Sequence, residues 1–209
     1  MWGNQLIDMG GNMCCGMVAA MSYIVLQNAT YEDLMKVPEH RVAEIVDGTL
    51  YSMPRPSSRH ARTSSMLGGH LVGPFDLGSG GPGGWIILDE PELHLGKDIV
   101  VPDLAGWRTE RMPTVPDVVF FELAPDWVCE VLSPSTHNID RSRKMDIYAR
   151  EAVDYLWLVD PIVRILEVYR IHAGQWMRMK AFTESEVVRA QPFDAIEIHL
   201  VRLWLDPQP

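Results

Sequence analysis

The chain has 209 residues, of which 47% are hydrophobic and 22% are charged, and its formal net charge at pH 7 is −10. This length and apolar content suit one globular domain with a sizeable core and exclude a disordered chain. The negative charge argues against a general polyanion-binding protein, because such binding depends on neutralising phosphates. It remains compatible with a nuclease, whose acidic metal site itself lowers the net charge.

The cysteines and the N-terminal segment bear on the compartment and the domain organisation. Cys14, Cys15 and Cys129 show neither zinc-site spacing nor a disulfide framework, which favours a reducing cytoplasm. No apolar run is long enough to span a membrane. The first residues are interrupted by glycines and lack the basic region of a signal peptide. We therefore expect residues 1–21 to form a flexible extension and residues 22–209 to form a single domain.

The folded part is predicted to begin with a short helix and a β-hairpin. Thr30 can cap the helix, and Asp33 stands where a capping box requires an acid. Residues 42–51 then alternate between apolar and polar side chains. The dipeptide Asp47-Gly48 in the middle of this segment is a strong signal for a type I′ hairpin turn.

A longer helix is predicted after the proline-rich residues 53–58. Apolar side chains recur at helical spacing from about residue 59 to residue 77, and Ser57 or Ser58 can cap the first turn. His60 lies in that turn, where a histidine is most often a surface residue, although its titration near neutral pH also suits a functional role. The glycine-rich residues that follow the helix lack the ending of a P-loop and are interpreted as a connector.

The rest of the chain is dominated by predicted strands. Residues 99–107 are predicted to form one strand with Asp103 at its centre. Pro102 implies an edge position or a bulge, and a bulge would re-aim the Asp103 side chain, as often happens beside active sites. Further strands are predicted over residues 85–88, 92–95, 154–161, 164–171 and 176–181.

Residues 124–148 contain the strongest functional signal. The apolar run 127–132 ends at a Ser-Pro-Ser turn, which indicates a buried strand, and Glu130 is the acid within it. Because an ionised carboxylate is costly to bury, Glu130 must lie at the mouth of the strand, be paired, or hold a metal. Lys144 and Tyr148 share a face of the following helix. A strand acid followed by a helical lysine fits half of a phosphodiester-cleaving site; a salt-bridged acid at a strand end is the alternative.

Three acids on predicted strands, Glu44, Asp103 and Glu130, precede Lys144 and suggest a metal site. Carboxylates that converge must share a proton or a cation, and oxygen ligands suit Mg²⁺ or Mn²⁺. The metal would lower the pKa of a water molecule, and a lysine would stabilise the transition state. Glu44 alone is more often an exposed strand acid. Asp126 could face the same side as Glu130, but we prefer Asp103 because it is embedded in a predicted strand.

Several motifs in one order resemble a known family. The strings EIVDG at residues 44–48, EVLSPST at residues 130–136 and YLWLVDP at residues 155–161 occur together with Pro102-Asp103. This set is similar to the Uma-two family of restriction endonucleases, within the PD-(D/E)XK nuclease superfamily. The similarity extends from about residue 30 to the C-terminus.

The resemblance implies an α/β fold of the restriction endonuclease type, with a central mixed β-sheet flanked by helices and extra β-hairpins. It also implies phosphodiester hydrolysis with a divalent metal held by Asp103 and Glu130, with Glu44 completing the site and His60 nearby. Leu132 stands where the superfamily motif has its lysine, so Lys144 from the next helix is the candidate for that charge.

The leading hypothesis is therefore a Mg²⁺- or Mn²⁺-dependent endonuclease that acts on DNA. A C2 homodimer is expected, because restriction-type nucleases usually act as dimers and symmetric dimers are the commonest assemblies. The alternative is a catalytically inactive binding or regulatory protein on a nuclease scaffold, which the net charge and the displaced lysine motivate. A phosphoesterase that acts on a smaller substrate is a third hypothesis.

Overall fold

The computed structural model describes residues 23–205, and the extension expected at residues 1–21 lies outside them. The strands are β1 (Tyr23–Gln27), β2 (Val42–Val46), β3 (Thr49–Met53), β4 (Trp85–Asp89), β5 (Leu93–Leu95), β6 (Asp98–Val100), β7 (Leu104–Arg108), β8 (Trp127–Val131), β9 (Tyr155–Asp160), β10 (Ile165–His172), β11 (Gln175–Thr183), β12 (Val187–Val188) and β13 (Ile198–His199). The α-helices are α1 (Tyr31–Leu34), α2 (Ser58–Leu71), α3 (His137–Ile139) and α4 (Met145–Arg150). Two π-helical turns, Val72–Asp76 and Asp140–Lys144, and a 3₁₀ turn, Leu200–Arg202, complete the helical structure.

A six-stranded mixed sheet forms the centre, in the order β11-β10-β9-β8-β7-β4. Strands β8 and β9 pair in parallel, with Glu130 opposite Leu158, while the other neighbouring strands of this sheet run antiparallel. All of β8 is buried, as the apolar run in the sequence predicted. The predicted mixed sheet is confirmed, and so is the pairing of β9 with β10.

Both faces of the central sheet are covered. On one face, Leu67 and Leu71 of α2 pack with Phe193 and Trp204 from the C-terminal segment. The other face carries α4 and a five-stranded sheet in the order β1-β3-β2-β6-β5. Strand β8 therefore lies between two cores, and its C-terminal end is reached by residues from α2, α4 and the second sheet.

The predicted helix caps and hairpin turn, which depend on neighbouring residues, are present in the structure. The Oδ2 atom of Asp33 accepts hydrogen bonds from the Thr30 backbone N–H at 3.0 Å and from its hydroxyl at 2.8 Å. Asp47 and Gly48 have φ angles of 51° and 72°, as a type I′ turn requires. Ser57 caps α2 through the His60 N–H, so the predicted helix and hairpin are confirmed.

The prediction of a single strand over residues 99–107 is wrong. Strands β6 and β7 belong to different sheets, and the chain crosses between them at residues 101–103. Pro102 has no N–H with which to continue a ladder, and the Val101 N–H donates to the Glu44 carboxylate at 2.7 Å. Asp103 is therefore placed at the entrance of β7 instead of the middle of a strand.

Candidate active site

Five acidic side chains, including Glu90 directly after β4, and one lysine line a cavity of about 450 Å³ where the two large sheets meet. Glu44 comes from β2, Glu130 from β8, and Asp103 directly precedes β7. Asp140 and Lys144 begin and end the π-helical turn before α4. The sequence-predicted residues Glu44, Asp103, Glu130, Lys144 and His60 are all brought to this cavity.

Lys144 is the electrostatic centre of the cavity. Its Nζ atom lies 2.7 Å from Glu130 Oε1, 2.8 Å from Glu44 Oε1 and 3.8 Å from Asp140 Oδ1. Only 2% of the residue is exposed. Burial alone lowers the pKa of an ammonium, but the charges of Glu130 and Glu44 outweigh it and raise the Lys144 pKa well above its usual value. The lysine is therefore held in its charged form.

Glu130 is paired as well as buried. The Tyr148 hydroxyl donates to its Oε1 atom at 2.5 Å, and Lys144 contacts the same oxygen. Burial raises the pKa of Glu130, the Lys144 charge opposes that rise, and the nearby acids Asp140 and Asp103 add to it. The shared helix face of Lys144 and Tyr148, predicted from their spacing, thus converges on the strand acid.

Asp103 joins the end of β8 to helix α2. Its Oδ2 atom accepts the Val131 N–H at 2.7 Å, and its Oδ1 atom lies 3.2 Å from His60 Nε2. Since Leu104 pairs with Cys129 in antiparallel register, the next position along the ladder sets Asp103 beside Glu130.

His60 is buried, in contrast to the surface position that is most common for a histidine in a first helical turn. Burial lowers the pKa of its imidazole, but the hydrogen bond and the charge of Asp103 raise it by more, with Asp140 and Glu90 contributing. The net effect is a raised pKa, which favours the protonated imidazolium beside Asp103. In the sequence, His60 could have been located by its position in the first helical turn after the proline-rich residues 53–58.

Asp140 is a site residue that the sequence reasoning did not select. It is 3% exposed, and burial raises its pKa to about 7, against the opposing charge of Lys144. Its signal in the sequence is the spacing of four residues to Lys144, which places both on one helical face. With Asp140 included, three carboxylates surround one ammonium.

A family model, Uma2, described as "Putative restriction endonuclease", matches residues 29–201. The chain belongs to the Uma2 family. This confirms the resemblance carried by the EVLSPST and YLWLVDP motifs, and it supports a nuclease-like function.

A solved structure with the same fold supports the architecture of this Uma2 chain. It is the crystal structure of a "putative nuclease belonging to DUF820" from Anabaena variabilis ATCC 29413. The TM-score is 0.67 at 22% identity, and the match covers 84% of this chain and 97% of that one. The predicted restriction endonuclease-like fold is confirmed. No protein with a curated description gives a significant match.

Asp126, the alternative to Asp103, has a different environment in this Uma2 chain. Its Oδ1 atom lies 3.0 Å from Arg111 Nη1, and its Oδ2 atom accepts the Arg108 N–H at 2.8 Å. It does not line the cavity. Asp126 thus ties β8 to the end of β7, and Asp103 is the aspartate that reaches the cavity.

The acidic side chains of the cavity fit a metal site with two carboxylate ligands better than one with three. Within residues 23–205, no group of three or more His, Cys, Asp or Glu side chains is arranged to hold a metal ion. Lys144 occupies the space between Glu44 and Glu130. Asp103, directly before β7, and Glu130, on the neighbouring strand β8, remain available. Mg²⁺ needs only one or two carboxylates beside water and a substrate phosphate.

Proposed function

We propose that this Uma2 protein is a divalent-metal-dependent endonuclease that hydrolyses phosphodiester bonds in DNA. One observation carries the proposal: Asp103 directly before β7 and Glu130 on the neighbouring strand β8 share a cavity with a buried and charged Lys144. Perturbed ionisable groups that converge in a cavity are typical of catalytic sites. The description of the family and the solved nuclease of the same fold support hydrolysis as the reaction class.

Each residue receives a role from its contacts. Asp103 and Glu130 would hold Mg²⁺ or Mn²⁺, which supplies positive charge to the reacting phosphate and makes a water molecule more acidic. The Lys144 ammonium stabilises the negative charge that develops on the phosphate oxygens. His60 orients Asp103 through its 3.2 Å contact.

Glu44 has a distinct role in this proposal. Its Oε1 atom already accepts the Val101 N–H at 2.7 Å and contacts Lys144 at 2.8 Å. Glu44 therefore positions the lysine and fixes the segment that leads to Asp103. The role of a further metal ligand, implied by the resemblance, stays a prediction that the following experiment tests.

Calorimetric titration of Mn²⁺ should show binding to the wild type and a loss of affinity of about tenfold or more in Glu130→Gln, because a carboxylate ligand is removed. Glu44→Gln should weaken Mn²⁺ binding less than Glu130→Gln does if Glu44 only positions Lys144. Glu197→Gln, an exposed glutamate outside the cavity, is the matched control. Wild-type affinity in Glu130→Gln would contradict the metal site.

Asp103→Ala and Glu130→Ala should each reduce Mn²⁺-dependent cleavage of DNA to background, because either change removes one of two ligands. Circular dichroism should verify that both variants fold. Cleavage by both variants at the wild-type rate would show that the catalytic residues lie elsewhere.

The inactive nuclease-fold protein remains the second candidate, favoured by the observation that Lys144 already neutralises part of the acid cluster. A wild-type protein that binds no Mn²⁺, alone or with DNA, would support this candidate over the endonuclease.

None of the helices within residues 23–205 is long and apolar enough to cross a membrane. The cytoplasmic location, the single domain and the homodimer stay predictions; a monodisperse monomer in light scattering would contradict the homodimer.

A further inference from the structure

The charged side chains of the candidate site lie deep below the surface. Glu44, Glu130 and Lys144 are each no more than 3% exposed, and the side chain of Asp103 is 13% exposed. The cavity above them, about 450 Å³, is in the size range of pockets that hold one small ligand. A phosphate must leave the surface of its nucleic acid to reach them.

Three proline-containing segments form the walls of the cavity. They are the segment before α2, the turn after β8, and the connection between β9 and β10. Each of these walls contains proline, whose ring fixes the backbone angle φ and limits how far the segment can move. The prolines that line the cavity are Pro54, Pro56, Pro134 and Pro161.

The charge around the cavity suits contact with few phosphates. Within residues 23–205, the Lys and Arg side chains that line it are Arg55, Arg59 and Lys144. Proteins that bind intact duplexes commonly neutralise many more phosphates than two outer arginines can contact. The chain as a whole carries a net charge of −10, which repels the rest of a duplex.

One of the side chains that line the cavity is apolar and exposed. Ile162, in the connection between β9 and β10, lines the cavity although it is 58% exposed. The face of an unstacked base can pack against such a side chain, whereas the bases of an intact duplex are already stacked on one another.

We infer that the scissile phosphate enters this cavity on an unpaired nucleotide, so the substrate is single-stranded DNA or an unpaired segment within a duplex. The inference rests on the proposed endonuclease function. Its physical basis is that only a strand free of its partner can carry a phosphate past the proline walls to carboxylates buried this deeply. Unpaired nucleotides also cost least to extrude into a pocket.

Cleavage with Mn²⁺ should be measured on three substrates of one sequence: a single strand, a duplex with a central unpaired bubble, and a fully paired duplex. We expect the first two to be cut at least about tenfold faster than the third, with cuts in the bubble substrate confined to the bubble, because a paired site must first be opened. Equal rates on the paired duplex would overturn this inference and leave the endonuclease proposal intact. No cleavage of any substrate would overturn both.

The double variant Arg55→Gln/Arg59→Gln should raise the KM for the single strand about tenfold with little change in kcat, because it removes charge-assisted contacts to phosphate. Lys36→Gln, which does not line the cavity, is the matched control. Two phosphate contacts predict a slope of about −1.4 for the logarithm of affinity against the logarithm of salt concentration. A slope steeper than about −5 would indicate an extended duplex-binding surface and overturn the inference.

Discussion

Replacing Lys144 with methionine should lower the free energy of unfolding by about 3 to 5 kcal/mol at pH 8 and abolish cleavage. Methionine keeps much of the length of the side chain but leaves Glu44 and Glu130 buried without the ammonium that lies 2.8 and 2.7 Å from them. An uncompensated buried charge is among the most destabilising changes a single substitution can make. Urea unfolding followed by tryptophan fluorescence measures the loss.

Two comparisons separate electrostatics from packing in this variant. At pH 5 the loss should be smaller, because Glu130, whose pKa burial raises, can then take up a proton in place of the missing cation. The double variant Lys144→Met/Glu44→Gln should recover part of the stability, since one of the uncompensated charges is gone. A loss that is equal at both pH values and unchanged in the double variant would show that the ion pairs do not hold the site together.

Asp140→Asn should make the protein more stable above pH 7, by about 2 to 4 kcal/mol at pH 8. The pKa of Asp140 rises from an ordinary value of 3.8 to about 7 in the folded state, because burial disfavours the charged form. Between these values the folded protein binds a proton that the unfolded chain does not, so stability falls as the pH rises through that window. Asparagine has nearly the same shape and carries no charge, so it escapes this cost.

The difference between Asp140→Asn and the wild type should therefore vanish near pH 3.5 and grow toward pH 8, as measured by urea unfolding across that range. Asp146→Asn is the matched control, since Asp146 is an exposed aspartate on the adjoining helix α4. It should change the stability by less than about 1 kcal/mol at either pH. A variant that is less stable than the wild type at pH 8 would show that Asp140 is held charged by Lys144 instead of destabilised by burial.

The sequence alone determined the elements that depend on neighbouring residues. The Asp47-Gly48 turn and the buried strand around Glu130 follow from turn chemistry and from an apolar run closed by proline. The shared face of Lys144 and Tyr148 follows from helical spacing. The motif order was sufficient to identify the Uma2 family and, through it, the restriction endonuclease-like fold.

Only the tertiary structure decided how the separate elements meet. The sequence pattern merged β6 and β7 into one strand, because both segments are apolar and the change of sheet at Pro102 leaves no periodic signal. The sequence pattern also favoured exposed positions for Glu44 and His60 when each was taken alone, whereas both are buried, because their burial comes from contacts with distant segments.

The absence of Asp140 from the residues predicted from the sequence illustrates the same limit. Its spacing of four residues to Lys144 places both on one helical face. Its raised pKa, however, depends on burial, with the charges of Glu44 and Asp103 adding to the rise and that of Lys144 opposing it. Local patterns fix secondary structure because they act through neighbouring residues. Burial and electrostatics sum contributions from segments that are far apart in the chain, and these are known only once the two sheets and the helices have packed together.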